Sequence, residues 1–327
     1  MIDKFRKGDN DNTLFITSTC SNRCIMCCQP PTDVDDSDRL SERNLRLIET
    51  ADEDTDYVCI TGGEPTLTEE KLFFYIQAIR QKMPDASIHL LTNGRRFADK
   101  EYTIQFAKMG DCHFVFGIPL HSDNPIDHDR IAGAKGAFFE TMKGLHNLGL
   151  LGYEIELRVI IIKDNYKRLS QIAEYITLNL PFVSQVSFMG LEITGYADRN
   201  YQRVWVEPID FSPYLTDAIR HLECCNISAK VFNVPYCLLP IILWPYACKS
   251  ISAWKKTNLQ QCKNCSQLKD CCGVFSTSKR YSPFIHAIIR SAKLRKNWEI
   301  IANYLKKTHN LRNGRIVIQL KKIGNQR

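Results

Sequence analysis

Apolar and polar positions follow a recurring order through the first two thirds of the chain: a short apolar run, a turn, then a longer stretch with apolar residues at helical spacing. The runs at 14–16, 57–60, 87–91, 112–120, 153–162 and 183–189 predict six strands. Helical spacing over 43–51, 68–82, 99–109, 137–150 and 166–178 predicts the helices between them. The run C-H-F-V-F-G-I-P-L at 112–120 is nearly all apolar, as expected of a strand covered on both faces. Strand and helix alternating in this way predict an α/β chain built as a partial (β/α)6 barrel of the TIM type. The expected organisation is a lead-in at 1–13, a barrel at 14–196, a cysteine-rich region at 197–278 and a basic extension at 279–327. Residues 210–225 read as a helix and 229–234 as extended chain, both assigned to the cysteine-rich region.

Candidate chemistry gathers at the strand ends. The first apolar run leads into Cys20, Cys24 and Cys27 at C-x3-C-x2-C spacing. Three thiolates on one loop suit three irons of a four-iron cluster and leave the fourth open to a small molecule. The competing reading is a zinc knuckle, for which Cys28 is the nearest fourth ligand or a replacement for Cys27. The second strand runs into Gly62-Gly63-Glu64-Pro65, where glycines let backbone approach closely. The third ends at Thr92-Asn93-Gly94, where Asn93 either lines the site or forms a plain turn. His121 follows the fourth strand. Arg158 lies within the fifth and wants a partner, either Glu154 or Glu156 or a ligand carboxylate. The sixth strand ends at Gly190.

These motifs together resemble the radical S-adenosylmethionine (SAM) superfamily, whose signature is C-x3-C-x2-C after the first barrel strand. The resemblance implies that Cys20, Cys24 and Cys27 ligate a [4Fe-4S] cluster whose open iron chelates SAM. One electron then cleaves SAM to methionine and a 5'-deoxyadenosyl radical, which takes hydrogen from substrate. It further implies that Gly62, Gly63, Glu64 and Pro65 bind the SAM amino group through backbone carbonyls, that Arg158 meets the SAM carboxylate, and that backbone at Gly190 flanks the adenine. Met26 departs from the aromatic residue common before the last cysteine, although a thioether also packs beside an adenine ring.

Cysteines return beyond the barrel as Cys262-x2-Cys265-x5-Cys271-Cys272, with Cys237 and Cys248 upstream. The best set for a second metal site is Cys237, Cys262, Cys265 and Cys271, with Cys272 as the alternative to Cys271; it holds either a second [4Fe-4S] cluster or structural zinc. Cys59, Cys112, Cys224, Cys225 and Cys248 are read as non-ligands. The blocks C-I-M-C-C-Q-P-P, V-S-F-M-G-L-E-I-T-G-Y-A and the segment from V-P-Y-C to the following C-x2-C resemble the His-Xaa-Ser system radical SAM maturases of C type. That likeness implies a ribosomally made peptide with His-Xaa-Ser repeats as substrate, a second radical SAM maturase as partner and a reductant such as flavodoxin or ferredoxin. Three further readings stay open: an enzyme acting on a nucleobase or small molecule, an activase for a glycyl radical, and a metal-binding scaffold without catalysis.

Composition narrows the setting. The 327 residues suffice for a barrel-sized core and an appendage. Fourteen cysteines, with no secretory-type apolar segment near the start, point to a cytoplasmic protein using thiols for metal chemistry. No apolar run is long enough to span a membrane. The net charge of +7 is uneven: thirteen Lys or Arg against one acid lie from Lys279 onward. That basic stretch is either a surface for an acidic partner or a solvated helix.

Overall fold

The structure is a computed structural model that describes residues 4–109 and 113–289. Seven strands form one parallel sheet in sequence order: β1 (Thr13–Phe15), β2 (Tyr57–Thr61), β3 (Ser87–Leu91), β4 (Phe114–Pro119), β5 (Glu154–Ile160), β6 (Gln185–Met189) and β7 (Ser228–Phe232). The crossovers are α1 (Ser37–Glu49), α2 (Glu70–Lys82), α3 (Lys100–Ala107), the pair α4 (Pro125–Ala132) and α5 (Ala137–Leu150), and α6 (Leu169–Asn179). After β6 come two short helices, α7 (Gly195–Arg199) and α8 (Tyr201–Val204), then α9 (Pro208–Cys224), which leads into β7.

Six β/α units are therefore present, and the sheet continues past residue 196. The helix at 208–224 and the extended chain after it, read from sequence as part of the cysteine-rich region, supply one more crossover and a seventh parallel strand. The physical reason is burial: Leu215, Ile219 and Leu222 of α9 and Val231 of β7 join the same apolar core as the other units. The cysteine-rich remainder follows, with a two-stranded antiparallel pair, β8 (Lys256–Thr257) and β9 (Val274–Phe275).

Helix boundaries have local causes. The Asn124 side chain accepts from the N–H groups of Ile126 and Asp127 and Pro125 opens α4, while Gly133 ends it at φ 63°. Asp99 caps α3 in the same way.

The two faces of the sheet differ in chemistry. Leu14, Ile60, Ile88, Phe116, Leu157, Val186 and Val231 point outward into one core with Ile76, Phe106, Leu145, Ile172 and Ile219 of the helices. Burying such side chains contributes roughly 1.5–3 kcal/mol each. The alternate positions, including Cys59, His89, Gly117, Glu156, Arg158, Ser187 and Lys230, share the other, inner face. Thus the near-continuous apolarity expected of a doubly covered strand holds for parts of β4 but not for β5 or β6. No helix among the described residues is long and apolar enough to cross a membrane. Cys112, the basic extension beyond Ile289, and the helix and strand read from sequence at 297–307 and 315–320 lie outside the described residues.

Candidate cluster and cofactor site

The loop carrying Cys20, Cys24 and Cys27 leaves the sheet where β1 ends. All three thiols are partly buried and lie within electrostatic reach of one another. Burial pushes the Cys24 thiol up to about 12, and neighbouring Cys27 and Cys20 add to the rise. Cys27 is also raised to about 12, by burial, then Cys28, with Cys20 contributing. Cys20 is raised chiefly by burial, opposed by the Asn22 N–H that its sulfur accepts at 3.4 Å. Three thiolates so placed repel each other unless a cationic group lies among them, which is the condition a metal cluster meets. Among the described residues no three His, Cys, Asp or Glu side chains converge on a single-ion site. The donor set, soft sulfur on one short loop, fits the iron-sulfur cluster.

The exits of β2 and β3, the end of α4 and the start of α7 hold this loop. At the end of β2, Gly63 N–H donates to Thr17 O and Glu64 N–H to Thr19 O, each at 2.7 Å. A Cβ on Gly62 would stand 2.5 Å from Thr17 O, and one on Gly63 would stand 2.1 Å from Thr19 O. The close approach inferred from the glycine pair is thus made first to the chain's own cluster loop. Pro65 opens a short 3-10 turn and is buried.

The Glu64 carboxylate is buried and accepts from Thr66 N, Thr66 Oγ1, Thr92 Oγ1 and Asn93 N. Burial raises its pKa, and these bonds oppose the rise. It thereby ties the β2 exit to the β3 exit. Asn93 Nδ2 in turn donates to Ser21 Oγ at 2.9 Å, placing Asn93 against the cysteine loop.

Further contacts come from Arg95, from the end of α4 and from the start of α7. Arg95 donates to Ser21 O at 2.9 Å and Asn22 Oδ1 at 2.7 Å while pairing with Glu140. The end of α4 pairs backbone to backbone with the loop, Arg23 N to Ala132 O and Ile25 N to Ile131 O. A Cβ on Gly133 would meet Arg23 O at 2.3 Å. From the far side, Tyr196 N donates to Cys27 O and Asn200 Nδ2 to Ile25 O, each at 2.8 Å. The local sequence signals here, Asn-Gly-Arg after a strand and glycine after a helix, are each common as plain turn chemistry.

Among the described residues, Arg158 forms no direct ion pair with Glu154 or Glu156, the internal partners weighed for it. Glu156 pairs instead with His89, whose Nε2 lies 3.0 Å from its carboxylate, and Glu154 is exposed. Burial works against the Glu156 charge, but His89 and the nearby Arg158 hold its carboxyl below the ordinary value. Arg158 Nε is buried with no hydrogen-bond partner. Tyr57 Oη and His89 Nδ1, 3.1 Å apart, continue this inner-face network. Gly117 makes room for it, since a Cβ there would reach His89 Nε2 at 2.8 Å. Gly190 abuts Asn233, whose carbonyl a Cβ would meet at 2.7 Å, and borders an apolar pocket with Leu191, Trp205 and Phe211.

In the second cysteine group, Cys237, Cys262, Cys265 and Cys271 line one pocket with Leu259 and His286. Burial pushes Cys237 up to about 12, with Cys271, Cys262 and Cys265 adding to it. Cys272 does not line the pocket. It is buried behind Cys271, and a hydrogen bond from its thiol brings Cys271 down to about 6. Backbone N–H groups also reach this set, Ile288 N to Cys265 Sγ at 3.3 Å and Gly273 N to Cys271 Sγ at 3.5 Å. Cys59 is buried in β2, Cys224 and Cys225 are exposed at the end of α9, and Cys248 stands apart from the pocket.

The Radical SAM superfamily profile matches residues 14–176. A GTP 3',8-cyclase of Pasteurella multocida is 28% identical over 244 residues, covering 72% of this chain and 70% of the cyclase. Streptococcus suis SuiB superposes with TM-score 0.51 at 17% identity over 67% of this chain and 48% of SuiB. The structure anSMEcpe with bound AdoMet superposes with TM-score 0.52 at 16% identity over 67% of this chain and 60% of its own. The chain thus spans about half to three fifths of these two structures, and at such identity the likeness is one of fold. The profile match, the thiol loop at the β1 exit and the shared fold agree: through residues 14–176 this chain belongs to the radical SAM superfamily.

Proposed function

We propose that this radical SAM enzyme holds a [4Fe-4S] cluster on Cys20, Cys24 and Cys27 and removes a hydrogen atom from a ribosomally made peptide. The observation that carries the cluster assignment is the gathering of three thiols on one loop braced by the exits of β2 and β3 and by the end of α4. When bound, the cluster and SAM supply one-electron cleavage of SAM and hydrogen abstraction. The protein's own residues orient and shield. Carbonyls of Gly62 to Pro65 stand at the loop to receive the SAM amino group. The guanidinium of Arg158, whose buried Nε has no hydrogen-bond partner, meets its carboxylate. Asn93 holds the loop, and backbone at Gly190 borders the adenine. The inner sheet face keeps bulk water from the reacting centre.

Cys237, Cys262, Cys265 and Cys271 are proposed to hold a second [4Fe-4S] cluster, with zinc as the alternative occupant. Cys271 is preferred to Cys272 because it shares the pocket with the other three. The peptide reading rests on the blocks that resemble the His-Xaa-Ser maturases. With it go a second maturase as partner, flavodoxin or ferredoxin as reductant and a cytoplasmic location. A second reading, a nucleotide substrate, is favoured by the GTP 3',8-cyclase relative, whose matched region extends past the superfamily profile.

The test is anaerobic reconstitution with iron and sulfide, then reduction with SAM in the presence of either a synthetic His-Xaa-Ser repeat peptide or GTP. Formation of 5'-deoxyadenosine coupled to a mass change in the peptide supports the proposal. Coupling to GTP loss transfers it to the nucleotide reading. Zinc without iron at both cysteine groups overturns the radical chemistry.

A further inference from the structure

His121 follows β4 and is 2% exposed; His128 in α4 is 1% exposed. Their ring centroids lie 5.2 Å apart. Such side chains are costly to bury without partners, about 1–3 kcal/mol for each unsatisfied polar group. Yet His121 Nδ1 and both ring nitrogens of His128 have no hydrogen-bond partner. Among the described residues, the polar side chain recorded against His121 Nε2 is Cys24, with Sγ at 3.9 Å. Packing fixes this approach. Asn165 Nδ2 donates to His121 O at 3.0 Å and to Ile160 O at 2.9 Å, while Asn165 Oδ1 accepts from Ile162 N. His128, edge-on to Phe138, covers the His121 ring.

A neutral imidazole carries a single N–H, on one ring nitrogen or the other. A thiol is a weak acceptor, but a metal-bound thiolate is a strong one. Of the possible tautomers, only the one protonated at Nε2 gives a Cys24 thiolate a donor. We infer that His121 is a positioning residue whose Nε2–H donates to the Cys24 thiolate in the loaded protein, raising the reduction potential of the cluster. A hydrogen bond to a ligand sulfur favours the more electron-rich, reduced state. This inference rests on the cluster assignment above and adds to it a residue outside the cysteine motif.

The test uses the full chain, reconstituted anaerobically, as wild type, His121→Leu and His121→Gln. Iron and sulfide are counted, and the midpoint is measured by paramagnetic-resonance titration of the signal that changes when SAM is added. His121→Leu should load iron but show about a tenfold lower reduced-to-oxidised ratio at fixed poise, equivalent to about 59 mV for one electron. His121→Gln, which keeps an N–H donor near the same place, should recover most of that loss. His121→Met, donorless and flexible, replaces the leucine variant should that one fail to load. An unmoved midpoint in a loaded donorless variant overturns the His121 assignment alone. Equal shifts in the donorless and glutamine variants assign the effect to packing and also overturn it. A wild type that takes up no iron overturns the cluster reading and this inference together.

Discussion

The two cysteine groups solve the gathering of thiols in opposite ways. Cys20, Cys24 and Cys27 lie on one short loop, and the rest of the barrel supplies its bracing: backbone from β2, a carboxylate linking β2 to β3, the end of α4 and the start of α7. Cys237, Cys262, Cys265 and Cys271 come from separated segments joined mainly by short turns. Their sulfurs are reached largely by backbone N–H groups, whereas Cys24 faces the imidazole of His121. A contiguous motif needs a scaffold to aim it. A dispersed set depends on the fold to bring its thiols together.

The largest expected effect tests whether the groups are independent. Replacing Cys20, Cys24 and Cys27 together by alanine should abolish SAM cleavage and remove about four irons per chain, while leaving the metal of the second group. Loss of metal from both groups in that variant would mean that they do not load separately. Next in size is the contrast between adjacent cysteines. Cys271→Ala should deplete the second site of metal, whereas Cys272→Ala should retain it with a hold weaker by about 10- to 100-fold, as expected for a residue behind a ligand. Metal analysis of the two variants reverses the assignment if the losses are exchanged.

The scaffolding of the first group is tested by Gly63→Ala. With a Cβ 2.1 Å from the Thr19 carbonyl, this change should lower stability by about 3 kcal/mol and slow cluster assembly. Urea unfolding and iron uptake measure both, and a neutral result would show that the loop is not held by this contact. The smallest effect concerns the link between the two regions. Glu192, just after β6, accepts from Lys255 at 3.3 Å and from Thr277 Oγ1 at 2.5 Å. Glu192→Gln should cost about 1 kcal/mol, read as a small shift in the urea midpoint with both metal contents intact.

Much of the barrel was legible because β/α repetition is local: each strand is short and carries apolar residues on the face that meets the helices, and each helix shows its own spacing. The seventh strand escaped because nothing local separates a strand that joins the sheet from one that starts a new unit; that is settled by whether α9 buries its face on the shared core. Arg158 shows the same limit at the site. Its charge was visible in an apolar strand, but its partner was not, since Glu156 turns to His89 across a space left by Gly117.

By itself the sequence determined the C-x3-C-x2-C loop, the glycine turn one unit later and the alternation that makes a parallel α/β sheet, because each depends on residues close together in the chain. Only the tertiary structure decided that Cys271 and not Cys272 faces the other three thiols, that Glu64 fastens two strand ends, and that His121 lies against Cys24. Those contacts join residues far apart in sequence, and long-range packing leaves no periodic trace from which to read them.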